Sequence, residues 1–165
     1  MARRSRRWPT SRAHSTPNRP KLATVDADNA VVKLCVAGMT AEGEGRRADA
    51  KALFQQAWNA RRDHFEACIA AHYLARHQAT PEATFEWNER ALHHAESLDD
   101  QRVRELFPSL YLNYAHSLEQ LGRRREACSF YGLAAAGLAD LPPGGYARLV
   151  RGGVEAGQRR TCGGG

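Results

Sequence analysis

The chain has 165 residues, 24 of them basic and 18 acidic, with 42% hydrophobic and 8% aromatic side chains, which suits one globular domain and is short for two. No apolar stretch approaches the roughly 20 residues of a membrane-spanning helix, and the Arg-rich start lacks the apolar segment and small-residue cleavage site of a secretory signal. Cys35, Cys68, Cys128 and Cys162 are scattered with no C-x-x-C pair, which argues against a zinc knuckle or a dense disulfide framework and predicts reduced thiols in a cytoplasmic protein.

Charge divides the chain. Residues 1–25 hold Arg3, Arg4, Arg6, Arg7, Arg12, Arg19 and Lys21 and no acid, whereas the remainder carries 17 basic against 18 acidic residues. The sequence pI of 9.5 therefore describes this segment and not the rest. Pro9, Pro17, Pro20 and Ser/Thr, with Trp8 as the sole aromatic, predict a disordered tail that cannot offset its ordering entropy by burial. An arginine arm of this kind can grip phosphates. The bland alternatives are a solvated tail, or upstream sequence translated from a start site placed too early. The excess of Arg over Lys fits a GC-rich, bacterial-type coding sequence, in which Val25 can hide the true start.

From Asp26 the pattern is helical. Val31, Leu34, Cys35, Gly38 and Met39 recur at three- and four-residue steps, as do Leu53, Phe54, Ala57 and Trp58, each set marking one buried stripe. Gly43-Glu-Gly45 separates these two helices. Gln78-Ala-Thr-Pro81-Glu82 separates the next pair, with Thr80 as cap and Pro81 in the first helical turn, and Gly122 divides a third. After Pro142-Pro-Gly-Gly145, Tyr146, Leu149, Val150 and Val154 mark a docking stripe on a terminal helix over 146–158. Gly152-Gly153 weakens that helix by roughly 1 kcal/mol per glycine, so fraying is expected, with 161–165 disordered. No period-two stretch competes as a strand. The expected class is all-α.

The helix pairs repeat. Gly38, Ala50, Phe54 and Ala57 in 31–64 match Ala115, Ala127, Tyr131 and Ala134 in 108–141 at identical spacing. Between them, 65–98 repeats the pair with Ala71, Thr84 and Ala91 as its small residues and with Asn88 where an aromatic is expected. Small residues let paired helices approach, while the aromatic plugs the gap toward the neighbouring pair.

This spacing resembles the tetratricopeptide repeat, a helix–turn–helix unit of about 34 residues. Leu34, Gly38, Ala50, Phe54 and Ala57 carry the resemblance in the first unit, and Tyr111, Ala115, Leu118, Gly122, Ala127, Tyr131 and Ala134 in the third. It implies a right-handed superhelical array of three repeats (31–64, 65–98, 108–141) within 26–160, closed by the capping helix. The second unit departs from the pattern at His72, Thr84 and Asn88. Residues Asp99–Phe107 are inserted before the third, where Pro108 either starts a helix or kinks one.

Chemistry-bearing motifs are few. His64, Cys68 and His72 share one helical face at four-residue steps, a metal-capable spacing, but the face is one the repeat uses for packing, so no metal or other cofactor is assigned. His93-His94 suits a helix C-terminus, and Arg123-Arg-Arg125 reads as a solvated turn, with phosphate or RNA contact as the alternative. There is no G-x-S-x-G, H-E-x-x-H or Walker loop, and neither glycine pair follows a strand, so no enzyme is expected. The resemblance instead implies a concave groove lined by the first helix of each pair. Val32, Cys35, Met39 and Glu42 fall there from the first unit. Glu66, Ile69, Tyr73, Arg76 and His77 come from the second, and Ser109, Leu112, Asn113, His116, Glu119 and Gln120 from the third. Of the Lys and Asn set with which one subclass grips a chaperone's C-terminal carboxylate, only Asn113 is matched. Tyr73, Arg76, His77, Asn113 and His116 are expected to converge on one pocket, flanked by Glu66 and Gln120. The function read from this is a non-catalytic module that binds a protein or peptide segment, with no membrane partner. The alternative is a nucleic-acid-associated protein that binds through its arginine arm.

Overall fold

The computed structural model describes residues 26, 28–99 and 101–163. Every regular element among them is helical, in the order α1 (Ala30–Gly43), α2 (Arg47–Ala60), α3 (His64–Ala75), α4 (Pro81–Glu96), α5 (Gln101–Arg104), α6 (Phe107–Gln120), α7 (Arg124–Ala136), a 3₁₀ turn (Gly137–Asp140) and α8 (Gly145–Thr161). No helix is long and apolar enough to cross a membrane among the described residues. The predicted tail over 1–25 lies outside them.

Local chemistry sets the boundaries. Asn29 caps α1, its side-chain oxygen accepting from the amides of Val31 (2.8 Å) and Val32 (3.1 Å). Thr80 caps α4 through the amide of Ala83, and Pro81 fills the first turn, where its missing N–H has no cost. Gly45 and Gly122 adopt φ of +79° and +76° in the turns after α1 and α6, a region that penalises any side chain. The insertion before the third pair folds as α5, whose Val103 is fully buried. Pro108 lies in the first turn of α6 and starts that helix without kinking it.

Packing follows chain order. α1 pairs with α2, α3 with α4 and α6 with α7, while α2–α3, α4–α6 and α7–α8 contacts join successive pairs. Two aromatic plugs hold the ends. Gly38 faces the Phe54 ring so closely that a Cβ would overlap it, and Gly157 of α8 stands in the same relation to Tyr131. Both rings are fully buried. Beside Phe54, Glu42 of α1 pairs with Arg76, the residue that ends α3, at 2.5 Å. Beside Tyr131, Glu119 of α6 pairs with Arg160 of α8 at 2.6 Å and accepts a 2.7 Å hydrogen bond from the Tyr131 hydroxyl. A Glu–Arg pair thus stands near each ring, though only Tyr131 is itself hydrogen-bonded to its acid. Arg160 and Tyr131 together hold the Glu119 carboxyl at about 2, well below the usual range, against the opposing effect of its burial.

Two sequence expectations fail at the C-terminus. α8 is not frayed at 158; it continues through Thr161, with Val150, Val154, Gly157 and Thr161 buried against its neighbours. The burial of one helical face outweighs the cost of Gly152 and Gly153. Cys162, placed in the expected disordered 161–165, forms a disulfide with Cys128 of α7. The thiol expectation holds for Cys35 and Cys68, which are buried and free, with burial pushing both thiols up to about 12. It fails for the other pair because the bond joins residues 34 apart on different helices, a distance over which spacing motifs carry no signal.

Candidate functional site

Two depressions are lined in part by α3. Through Ile69 and Tyr73 it lines an apolar one of about 160 Å³, completed by Val32, Cys35, Val36 and Met39 of α1 and by Phe65, Arg102 and Leu106. Val36 and Met39 are 51% and 38% exposed, a high value for apolar side chains beside an apolar hollow. Through Ala75 and Arg76 it lines a polar one of about 370 Å³ with Gln78, Thr84, Asn88, Asn113, His116 and Gln120.

The Tyr73 ring is the divider. It stacks on Phe54 with centroids 5.2 Å apart and an interplanar angle of 12°, and the Arg76 guanidinium lies 4.9 Å from its centroid. Arg76 is held there by Glu42, leaving part of its fork facing the polar depression. His77 is buried against Phe54. Its Nε2 is 3.2 Å from Glu42 but has no well-aligned hydrogen bond, and burial outweighs the carboxylate's attraction, lowering its pKa. In the polar depression the Asn113 amide faces His72 Nδ1 at 3.4 Å. Burial, reinforced by Arg76, pushes the pKa of His72 down to about 4 and keeps the ring neutral near pH 7. Asn88 donates to the Asn113 carbonyl at 3.2 Å, and His116 meets Gln120 at 3.3 Å.

Of the residues singled out in the sequence, Arg76, Asn113, His116 and Gln120 come together in the polar depression. Tyr73 and His77 do not join them there: Tyr73 belongs to the apolar hollow and His77 to the Phe54 contact. Glu66 is in neither. It is 1% exposed, accepting from Asn29 (2.6 Å) and from the Arg62 backbone (2.5 Å). The seven-residue step from Glu66 to Tyr73 does favour a shared face, but the α1 cap covers that face at Glu66. Burial would raise its pKa, yet those hydrogen bonds and Arg62 hold it below the usual range.

Other contacts had no sequence signal. His64 meets His94 at 2.9 Å between ring nitrogens, so the line of His64, Cys68 and His72 separates into a surface pair, a core thiol and a ring that meets Asn113. Arg102 and Leu106 reach the apolar hollow from the inserted segment. Arg123 is taken up by Glu126 at 2.6 Å, and Arg124 bonds the Arg160 carbonyl. Comparison with protein-family models, curated proteins and solved structures returned no match.

Proposed function

We propose that this chain is a non-catalytic module that holds a peptide or protein segment along the face of α1, α3 and α6, which forms the groove of a superhelical array of tetratricopeptide-like repeats. The observation that carries the reading is the pairing on one helix of an exposed apolar hollow and a polar depression without an acid in its lining. Ile69 and Arg76 are seven residues apart, about 10 Å along the axis, which three residues of an extended segment cover. An apolar side chain seated against Met39 and Ile69 thereby brings the following backbone to Arg76, Asn113 and Gln120, where amides and a guanidinium supply hydrogen bonds to it.

The test selects peptides from a displayed library on the full chain and titrates those recovered against variants. Met39→Glu and Arg76→Ala are expected to weaken binding at least tenfold. Leu133→Glu, which alters an exposed apolar residue of α7 outside both depressions, leaves it unchanged. Selected peptides that bind all three variants equally well would refute the groove.

A further inference from the structure

A third cavity, of about 510 Å³, lies outside the proposed groove, walled by α4 and by aromatic side chains of α6 and α7. Tyr114 and Phe130 meet there edge to face with centroids 4.6 Å apart, and Tyr111 adjoins Phe130 at 6.0 Å. Glu89 and Glu96 stand at its rim, two turns apart on α4. Burial, with Glu89 nearby, pushes the Tyr114 hydroxyl above its usual pKa against the opposing effect of Arg123, whose guanidinium is taken up by Glu126 and lies over Phe85.

The surface elsewhere shows what this cavity lacks. Among the described residues, five aromatic rings carry an arginine across their faces: Trp58 under Arg61, Tyr73 under Arg76, Trp87 under Arg90, Phe65 under Arg102 and Phe85 under Arg123. The Tyr111, Tyr114 and Phe130 rings have no such cation among the described residues, and Glu89 and Glu96 have no ion pair among them. The one guanidinium in the lining, Arg90, is spent on Trp87 and on Glu86 at 3.6 Å. Aromatic faces attract a cation through their quadrupole, and a carboxylate at the rim complements a guanidinium fork.

We propose that this cavity is a docking site for an arginine side chain, and that the chain's own basic segment, residues 3–21, supplies it. Charge and reach both favour this occupant. The segment carries seven cations and no acid. The described chain also begins at the right end of the array: Asn29 bonds Glu66, two residues on from His64, and His64 meets His94, which lines the cavity. That path crosses about two helix diameters, roughly 20–24 Å. The chain is already fixed at Asp26, whose carbonyl accepts from the Asn29 amide; Arg19 and Arg12 precede Asp26 by seven and fourteen residues, a reach of up to about 23 and 46 Å. This site is independent of the peptide groove, and either can fail without the other.

The experiment compares amide spectra of the full chain with those of a chain whose seven basic residues in 3–21 are changed to Gln. The shifts are expected at His93, Glu96, Tyr114 and Phe130. A synthetic peptide of residues 1–24, titrated into the neutralised chain, is expected to restore them. Glu89→Gln with Glu96→Gln is expected to weaken that peptide at least tenfold, whereas Glu82→Gln with Glu155→Gln, exposed acids away from the cavity, changes it less than twofold. All four substitutions are at exposed positions, and unchanged helical dichroism confirms the fold. Shifts that fall elsewhere or are absent would overturn the proposal, as would equal weakening by both pairs. It would equally be overturned by an arm whose signals respond to oligonucleotide and not to the cavity variants.

Discussion

Replacing Gly157 by alanine places a methyl group where the Tyr131 ring stands. A Cβ built at that position overlaps three ring carbons. The ring is fully buried, and its hydroxyl is fixed to Glu119 at 2.7 Å. Either α8 moves outward or the ring swings. The first opens the contact that buries Val150 and Val154, and the second breaks a hydrogen bond to a charged acceptor, worth about 1.5–3 kcal/mol. Overpacking itself costs about 1–3 kcal/mol, and the helix gains about 1 kcal/mol on exchanging glycine for alanine. The net loss is about 2–4 kcal/mol, which corresponds to a fall of roughly 8–16 °C in melting temperature for a domain of this size. Gly152 on the same helix has nothing within 4 Å of its virtual Cβ, so Gly152→Ala is expected to stabilise by about 0.5–1 kcal/mol. Urea titrations followed by dichroism at 222 nm measure both. If Gly157→Ala came within 0.5 kcal/mol of the parent, or the two alanines behaved alike, the seating of α8 on Tyr131 would be wrong.

Phe54→Ala is expected to cost about 3–5 kcal/mol in the same titration, because the ring is wholly buried and stacked on Tyr73. Glu119 is held at about 2 in the folded chain, against about 4.3 unfolded. Its contribution, about 3 kcal/mol, is thus present above pH 4.3 and lost as pH falls toward 2. Glu119→Gln flattens that part of the stability–pH curve, and an unchanged acid limb would count against the latch. Under denaturing, non-reducing conditions thiol titration should count two free cysteines; a count of four would remove the Cys128–Cys162 bond from the account. Reduction should destabilise the chain by up to about 4 kcal/mol for a loop closed over 34 residues.

Helices and their pairing were legible because they depend on local periodicity and on turn residues. Thr80, Pro81, Gly45 and Gly122 act where the sequence places them, since each satisfies a backbone requirement within three or four residues of itself. Legibility ended where a contact joins distant helices with no repeating spacing. His64 and His94 are 30 residues apart, and Cys128 and Cys162 are 34 apart; helical period says which face each occupies, not which partner faces it. Glu66 shows the same limit in reverse, with a position on the Tyr73 side of α3 but a side chain closed over by Asn29.

Asn88 is where departure from the repeated spacing has a structural consequence. Phe54 and Tyr131 are large rings that fill the space between one helix pair and the next element, and each leaves no cavity beside the ring's small partner. At the corresponding place in the second pair Asn88 is smaller, and its amide nitrogen donates to the Asn113 carbonyl. It can neither fill the gap nor seal it with apolar surface. The polar depression of about 370 Å³ opens at that junction, with Asn88 in its wall. Arg76, whose partner Glu42 sits on the filled side, has the rest of its fork turned to the unfilled one. A buried amide costs stability unless its hydrogen bonds are met, and here the junction between α4 and α6 stays open beside it. The weakest match to the repeated spacing and the polar depression beside Arg76 therefore have one cause, the absence of a third aromatic plug.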